Sequence, residues 1–221
     1  MAQILFTARP GGKSVAPFDS FNLGDHVGDA SNSVEDNRQV LQSLLSNSKL
    51  KFMNQVHGND VVEVDEDSTA PVTADALVTR SKGVPLVVLS ADCLPILIKG
   101  ENIVAAIHAG RKGILNGIIG KVIERVRSIS DGEYLATIGP AICEKCYEVD
   151  LEMYLDAIER EPSLATNPDS HCLDLKRAAS EQLKVRNIKV VDVGICTAHD
   201  PKYFSYRRDG ITGRNAGVIV L

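Results

Sequence analysis

The chain has 221 residues and a formal net charge of −5 at pH 7, with 44% hydrophobic and 24% charged residues. This composition is typical of a globular protein and excludes a disordered chain, a collagen-like fibre and a coiled coil. The mild acidity is spread evenly, which argues against duplex DNA or a membrane surface as partner. We expect one domain over residues 1–221, because α/β and β-rich domains often reach about 200–250 residues.

The five cysteines are an odd number, which argues against a secreted disulfide framework. Residues 1–10 have neither the basic region nor the long apolar region of a signal sequence. No apolar run approaches the roughly 20 residues that a membrane-spanning helix needs. The sequence therefore predicts a cytoplasmic protein with reduced thiols.

The first predicted element is a long irregular loop, residues 7–29, which is rich in Gly, Pro, Asp and Asn. A helix is expected from Ser33, whose hydroxyl can cap the first turn, with Asp36 three residues later. Its apolar stripe consists of Val34, Val40, Leu41, Leu44 and Leu45. Residues 61–64 fit a half-buried strand.

The middle of the chain contains short apolar runs that predict strands buried on both faces, at residues 86–89 and 103–107. A further strand at 95–98 is expected to form a hairpin with the second of these around residues 99–102. Apolar residues at helical spacing from Ile114 to Val126 then predict the strongest helix of the chain.

Helices are also expected at residues 151–160 and 173–185, and strands at 188–193 and 216–221. These strands and helices do not alternate regularly, as βαβ units would. The predicted fold class is therefore α+β, a large mixed β-sheet packed by helices in an α/β/α sandwich-like arrangement.

His57, Cys93 and His108 are candidate metal ligands. Each alone has an ordinary explanation, as a loop histidine, a buried apolar cysteine or a histidine at a strand end. Together they are more suggestive, because Cys93 and His108 end apolar strands that we expect to be adjacent, where α/β folds usually keep their sites. One cysteine and two histidines suit Zn²⁺, and three protein ligands leave a fourth position for water or substrate.

A second set of residues has metal-ligand spacing. Cys143 and Cys146 form a C-x₂-C pair, and Cys196 and His199 form a C-x₂-H pair. They could build a structural Cys₃His zinc site, but the glycines of short zinc knuckles are missing and the surroundings are apolar. A redox role lacks a surrounding thioredoxin-like βαβ pattern. The role of this set stays open.

Basic residues near two turns are candidates for phosphate binding. Lys112 lies at the start of the strongest predicted helix, where free N–H groups attract anions, although the Walker pattern is missing. Arg207 and Arg208 can fork onto phosphate oxygens, the alternative being that they pair with nearby aspartates in a solvated loop. His26 lies in a polar loop and can reach a substrate.

Several motifs occur in order along the chain: FDSFNLG at 18–24, HVGD at 26–29, NQVHG at 54–58, ADC at 91–93, HAG at 108–110, IGPAI at 138–142, YRR at 206–208 and TGR at 212–214. Together they resemble the YfiH-type, or laccase-domain, family of purine nucleoside phosphorylases. The resemblance spans residues 9–221.

The resemblance implies a single α+β domain with a large mixed sheet. It implies phosphorolysis of purine nucleosides, with adenosine deamination and phosphorolysis of S-methyl-5′-thioadenosine alongside. It also implies zinc on His57, Cys93 and His108, the trio that ligand chemistry selects. Older descriptions of the family speak of a copper-dependent polyphenol oxidase, so copper is the alternative metal, and others speak of a peptidoglycan-editing role. The expected partners are purine nucleosides and phosphate, with the chain a monomer or homodimer.

Further roles follow for a phosphorylase. Asp92, beside Cys93, could move a proton or only cap a turn, and Gln55 could orient a water or a ligand. Substrate or phosphate contacts are expected from Asn22, His26, Lys112, Arg207 and Arg208. The family usually carries Trp-Arg after the HAG turn, whereas this chain has Arg111-Lys112, which removes an aromatic platform and keeps the positive charge.

Two other classes of protein stay open. In a cysteine hydrolase, Cys93 would be the nucleophile and His108 its base, with no metal. In a non-catalytic metal-binding or interaction domain, the same residues would be a vestigial site.

Overall fold

The computed structural model describes residues 2–45, 48–69 and 71–221. The strands are β1 (Gln3–Phe6), β2 (Met53–Asn54), β3 (Val61–Glu63), β4 (Val72–Thr73), β5 (Ala76–Thr79), β6 (Leu86–Ser90), β7 (Leu94–Lys99), β8 (Val104–Ala109), β9 (Leu135–Ile138), β10 (Lys189–Asp192) and β11 (Asn215–Val220). The α-helices are α1 (Ser31–Ser43), α2 (Arg111–Leu115), α3 (Ile118–Ile129), α4 (Leu151–Arg160), α5 (Leu175–Lys184) and α6 (Tyr206–Asp209).

The fold is α+β with a large mixed sheet, as predicted. Its six strands lie in the order β10-β9-β7-β8-β5-β3, with parallel pairs at the two edges and antiparallel pairs between them. The predicted hairpin is confirmed, because β7 and β8 pair antiparallel and place Pro95 opposite His108. A second sheet, in the order β1-β11-β6, is antiparallel throughout.

The second sheet lies between the large sheet and helix α1. Along β6, Leu86 and Val88 pack toward the large sheet, while Val87 and Leu89 pack toward Leu41 of α1. This alternation follows from the two-residue period of a strand. The opposite face of the large sheet is covered by α2 to α5. The apolar run at 86–89 was therefore correctly predicted to be buried on both faces, but its partners were not predictable.

Helix α1 begins two residues before Ser33, and no side chain caps it, so the predicted Ser33 cap is wrong. Val40 and Leu44 of the predicted stripe are exposed. Asn37 is buried on this helix instead, and its amide donates to the backbone carbonyl of Asn22 at 2.8 Å. The inward face of α1 therefore includes a polar group that satisfies the backbone of the 7–29 loop.

The strongest predicted helix is broken in two. Gly117 has a φ of +78°, a left-handed conformation that ends α2 and precedes α3. Ile114 and Ile118, on either side of the break, are both buried in the same core cluster. The apolar periodicity of the sequence therefore continues across the break, so the sequence pattern did not indicate it. The helices predicted at 151–160 and 173–185 are confirmed as α4 and α5.

The part of the chain that the structure describes contains no helix that is both long and apolar enough to cross a membrane.

Candidate metal centre and substrate cavity

The side chains of His57, Cys93 and His108 meet at one point, as predicted. Their ligand atoms all lie within 4.8 Å of one another. The two imidazole rings have centroids 4.8 Å apart and meet edge to face at 80°. His108 is buried, Cys93 is half-buried and His57 is exposed. The trio is therefore preassembled, with the His57 side open to solvent.

Hairpin pairing brings Cys93 and His108 together. The two preceding strands, β6 and β8, are adjacent as expected, but they pack face to face from different sheets and are not paired by hydrogen bonds. The chain leaves β6 and crosses to the large sheet through residues 91–93. It then enters β7, where Leu94 pairs with Ala109 of β8. Cys93 therefore lies at the same end of the β7–β8 hairpin as His108.

The turn that presents His57 is held by a buried carboxylate, Asp75. His57 has a φ of +58°, in the left-handed region that non-glycine residues rarely adopt. The backbone N–H groups of Val56, His57 and Gly58 donate to the Asp75 carboxylate at 3.2, 3.0 and 2.6 Å. These three hydrogen bonds hold the strained backbone in place.

Asp75 also orients the second histidine. Its Oδ1 lies 2.8 Å from Nδ1 of His108, and both residues are buried. Burial opposes ionisation of this carboxyl, but the hydrogen bonds from His108 and Gly58 keep the pKa of Asp75 below its usual value. Asp75 was not among the predicted site residues. Its signal was a single acidic residue inside the apolar segment 74–78.

The electrostatics of the trio favour a metal-ligating thiolate. Burial raises the pKa of the Cys93 thiol, but His108 and His57 outweigh it and lower the pKa to about 6. Burial lowers the pKa of His108, whereas Cys93 and Asp75 raise it to about 9. The donor set of one thiolate and two imidazoles, one of them held by a carboxylate, fits Zn²⁺.

A cavity of about 380 Å³ opens at the trio. That volume is in the range of about 300–1,000 Å³ that is usual for small-molecule sites. Besides the trio, it is lined by His26, Gln55, Leu89, Ser90, Ala91, Asp92, Ile142, Tyr147, Tyr206, Arg207 and Arg214. The wall therefore combines apolar and aromatic side chains with several cations.

Arg214 is the cation that the sequence analysis left without a role, although its motif was noted. It is half-buried in the cavity wall, and its Nη1 donates to the backbone carbonyls of Thr212 and Gly213. Among the described residues, no carboxylate lies within 4.0 Å of its guanidinium. Burial lowers the pKa of Arg214, so an anion in the cavity would stabilise its charge.

The two neighbouring arginines predicted to bind phosphate have different surroundings. Arg207 lines the cavity, and its guanidinium lies over the Tyr147 ring, 5.3 Å from the ring centroid. Arg208 is not part of the cavity wall. Its guanidinium donates to the backbone carbonyls of Thr197 and Tyr203 at 2.7 Å each, and it pairs with Asp209. Arg208 therefore follows the structural alternative stated for it above.

Two other predicted contacts lie outside the cavity wall. Lys112 is exposed, while its neighbour Arg111 is half-buried. Asn22 is completely buried, and its Oδ1 accepts the backbone N–H of Arg214 at 2.8 Å. Asn22 thus supports the segment that carries Arg214.

Gln55, Asp92 and His26, which were predicted to be site residues, line the cavity. The Gln55 amide exchanges two hydrogen bonds of 2.8 Å with the backbone of Leu89. Asp92, with a φ of +103°, accepts hydrogen bonds from the Thr197 hydroxyl at 2.6 Å and from the backbone N–H of Arg207 at 2.7 Å.

The contacts of Gln55 and Asp92 fix the segments that flank His57 and Cys93. His26 stands apart from these contacts. Its pKa is lowered by burial and by the nearby Arg214.

Comparison with known proteins identifies one family, to which two different activities are attributed. The sequence model of the family described as multi-copper polyphenol oxidoreductase laccase matches residues 3–221. A Corynebacterium glutamicum protein named purine nucleoside phosphorylase is 40% identical, over 98% of this chain and 93% of the relative. A Streptomyces coelicolor protein of the same name is 36% identical, over 98% of this chain and 94% of the relative.

Solved structures share the whole fold. A Neisseria meningitidis protein described as DUF152 superposes with a TM-score of 0.90 at 32% identity, covering 100% of this chain and 94% of its own. The Bacillus licheniformis hypothetical protein YfiH superposes with a TM-score of 0.91 at 29% identity, covering 100% of this chain and 92% of its own.

Proposed function

The chain belongs to the family described as multi-copper polyphenol oxidoreductase laccase, and we propose that it is a zinc-dependent purine nucleoside phosphorylase with one catalytic domain over residues 1–221. The relatives that carry the name purine nucleoside phosphorylase support this proposal. One structural observation carries it: the cavity at the His57–Cys93–His108 trio also contains Arg214, a half-buried cation without an ion-pair partner among the described residues.

Phosphate is the co-substrate that the cationic wall favours. Arg214 lacks a carboxylate partner, and Arg207 lies in the same cavity with its guanidinium over Tyr147. Guanidinium groups bind phosphate through paired N–H donors. We assign Arg214 as the main phosphate contact, assisted by Arg207 and by His26. Lys112 and Arg208 are not assigned this role, because neither lies in the cavity wall.

The purine would occupy the apolar part of the cavity. Tyr147 and Tyr206 offer ring faces, while Leu89 and Ile142 offer flat aliphatic contacts. A purine is planar and largely apolar on its faces, so such walls suit it. Arg111 stands where the family usually has tryptophan, and its charge opposes the rise in the pKa of Tyr147 that burial causes. The aromatic contribution then comes from Tyr147 rather than from the residue after the HAG turn.

In phosphorolysis, a phosphate oxygen attacks the anomeric carbon of the ribose while the bond from that carbon to the purine nitrogen breaks. The electron pair stays with the departing purine, which takes up a proton, and the products are ribose 1-phosphate and the free base. Arg214 and Arg207 hold the attacking phosphate in place, which lowers the entropic part of the barrier. Asp92 fixes the backbone of Arg207 and of Cys93 on either side of the reacting atoms.

The trio would hold zinc, with Asp75 orienting His108 from outside the ligand set. A zinc ion there would act as a Lewis acid toward negative charge on the substrate and would lower the pKa of a water molecule in its open position. The first property suits phosphorolysis of nucleosides and of S-methyl-5′-thioadenosine. The second suits hydrolytic removal of the amino group of adenosine. We propose both further activities for the same cavity.

The decisive experiment combines metal analysis with a nucleoside panel. Purified protein should contain zinc and should release hypoxanthine and ribose 1-phosphate from inosine only when phosphate is present. His57→Ala should remove this activity together with the zinc of the trio. Release of the base without phosphate, or no release by zinc-loaded protein, would refute the phosphorylase assignment.

A cysteine hydrolase is the second candidate, and the pair Cys93–His108 favours it. In this candidate, Cys93, whose pKa is lowered, would be the nucleophile, and His108, whose pKa is raised, would be its base. The carboxylate of Asp75 would orient His108. This candidate predicts that removal of metal leaves activity intact. Loss of activity on chelation, with recovery on adding zinc, decides for the phosphorylase.

Copper and phenol oxidation form the third option, which the family description raises. Two histidines and a cysteine are also a ligand set of copper sites. Metal analysis of protein isolated without added metal, and an assay with a phenol and oxygen, test this option directly. Oxygen uptake that requires copper would replace the phosphorylase proposal.

A further inference from the structure

A second group of metal-ligating side chains lies outside the trio. Cys143, Cys146, Cys196 and His199 place their ligand atoms within 4.8 Å of one another. Sγ of Cys146 lies 3.0 Å from Nε2 of His199. Tetrahedral zinc with Zn–S bonds of about 2.3 Å needs ligand atoms roughly 3.8 Å apart. The four side chains therefore need only small rotations to surround one ion.

Both ligand pairs lie in hydrogen-bonded turns, at residues 144–146 and 197–199. In the first pair, the backbone carbonyl of Cys143 accepts the N–H of Cys146 at 3.1 Å. In the second pair, the backbone carbonyl of Cys196 accepts the N–H of Asp200 at 3.0 Å. Each turn therefore brings its two ligands to one place without the glycines of short zinc knuckles.

The group lies at the edge of the core. The three cysteines are half-buried and His199 is exposed, while Cys146 and Ala198 pack against the core cluster. An isolated parallel bridge pairs Ala141 with Cys196 and aligns the two segments. All five cysteines of the chain are free thiols. A metal ion can therefore reach the group from solvent, and the two segments that carry its ligands are already aligned.

We propose that Cys143, Cys146, Cys196 and His199 form a second, structural zinc site. Three thiolates and one imidazole are a complete tetrahedral set, which leaves no open position for substrate. This distinguishes the second site from the trio at the cavity, where three ligands leave one position open. The soft thiolate donors select Zn²⁺ over Mg²⁺ or Ca²⁺, which prefer oxygen ligands.

The proposed site would join the segment that carries Tyr147 of the cavity wall to a second segment that contacts Asp92, another wall residue. Tyr147 directly follows Cys146, and Nη1 of Arg207 donates to the backbone carbonyl of Cys146 at 3.1 Å. In the other segment, the hydroxyl of Thr197, next to Cys196, donates to Asp92. A metal ion that crosslinks the two segments would therefore hold Tyr147 and Arg207 in position while touching no substrate.

The test counts metal ions and identifies their ligands, so it does not depend on the proposed reaction. Wild-type protein isolated under reducing conditions should bind about two zinc ions per chain, and His57→Ala and Cys146→Ser about one each. With Co²⁺ in place of zinc, the His57→Ala protein should keep strong thiolate-to-metal absorption, because three thiolates remain. Cys172→Ala is the matched control. The buried Cys172 thiol donates to the backbone carbonyl of Lys145 at 3.8 Å but supplies no ligand atom to either group, so both ions should stay.

A second measurement uses only the wild-type protein and so does not depend on folding of the variants. Alkylation followed by peptide mass analysis should find Cys143, Cys146 and Cys196 protected when zinc is bound and labelled after chelation. Equal labelling of the three thiols with and without zinc would overturn the proposal. The proposal would also be wrong if the wild-type chain bound one zinc ion and the Cys146→Ser variant still bound it. A disulfide among these cysteines in protein isolated under reducing conditions would overturn it as well.

Discussion

Oδ1 of Asp75 lies 2.8 Å from Nδ1 of His108, and Asp75 is completely buried. Because this contact occupies Nδ1, the other ring nitrogen of His108 is the one left for Cys93 and a metal ion. The same carboxylate accepts the backbone N–H groups of the turn that presents His57. One residue therefore sets the positions of two of the three candidate ligands.

Replacing Asp75 with asparagine should weaken metal binding at the trio. Asparagine keeps the size of the side chain but loses the charge that fixes the ring of His108. Loss of such an outer partner typically costs about 10–100-fold in metal affinity. Competition with a chromophoric chelator measures the affinity. Folding of the metal-free protein is measured separately by denaturant titration, since weaker hydrogen bonds to the 56–58 turn should also reduce stability by about 1–3 kcal/mol.

Asp131→Asn is the control for this variant, because Asp131 is an exposed loop residue. It removes the same charge from the chain without touching the trio. If Asp75→Asn and Asp131→Asn bind zinc with the same affinity as wild type, Asp75 does not orient His108 for a metal ion.

Gly110 should be required for the trio although it supplies no ligand atom. A Cβ at this position would lie 2.8 Å from Sγ of Cys93 and 3.4 Å from the ring of His57. The first distance is too short for a van der Waals contact, so Gly110→Ala must displace the thiol. We expect metal affinity to fall by about tenfold or more, since overpacking typically costs about 1–3 kcal/mol. The loss is measured by zinc competition.

Gly58→Ala provides a matched glycine variant beside the same site. Its Cβ would have ordinary contacts of 3.4 Å with Asp75 and 3.5 Å with Val56, so affinity should change little. Equal losses in the two variants would show that any added methyl group disturbs this region. The specific role of the Gly110–Cys93 approach would then be wrong.

Residue types alone brought out the three candidate ligands, whereas the environment of these residues was not predicted. His57, Cys93 and His108 carry ligand chemistry in their side chains, so their residue types alone suggested a metal site. Asp75 has no such signature, because a buried aspartate is recognisable only once its four donors are placed around it. The long apolar periodicity of residues 114–126 likewise predicted burial correctly but could not show the break at Gly117, since both halves pack into one core.

Long-range hydrogen bonds decided the roles of the arginines, and sequence spacing could not show them. Arg207 and Arg208 are neighbours in the chain and were predicted to act together. Only the fold shows that Arg208 reaches the carbonyls of Thr197 and Tyr203 while Arg207 lines the cavity. The ability of an arginine to bind phosphate was therefore predictable from its residue type. Which distant backbone carbonyls surround its guanidinium was not.

Arg208→Met should destabilise the protein without changing its use of phosphate. The variant loses hydrogen bonds to the carbonyls of Thr197 and Tyr203 and the ion pair with Asp209. We expect the free energy of unfolding to fall by about 1–2 kcal/mol, since the pair is partly exposed and contributes at most about 1 kcal/mol. Thermal unfolding measures the loss. If the variant instead has a raised KM for phosphate and unchanged stability, Arg208 binds phosphate and its structural role is wrong.

Arg214→Met should raise the KM for phosphate much more than the KM for the nucleoside. Arg214 is the half-buried cation of the cavity that lacks a carboxylate partner among the described residues, and methionine keeps its apolar length without the charge. Hydrogen bonds to charged groups contribute about 1.5–3 kcal/mol, so a rise of about 10–100-fold is expected. Lys112→Met, which removes an exposed cation outside the cavity wall, should leave both constants within about twofold. Steady-state kinetics with each substrate varied in turn gives the KM for phosphate and the KM for the nucleoside separately. If Arg214→Met instead raises only the KM for the nucleoside, the guanidinium contacts the purine or the sugar, and the phosphate must bind elsewhere in the cavity.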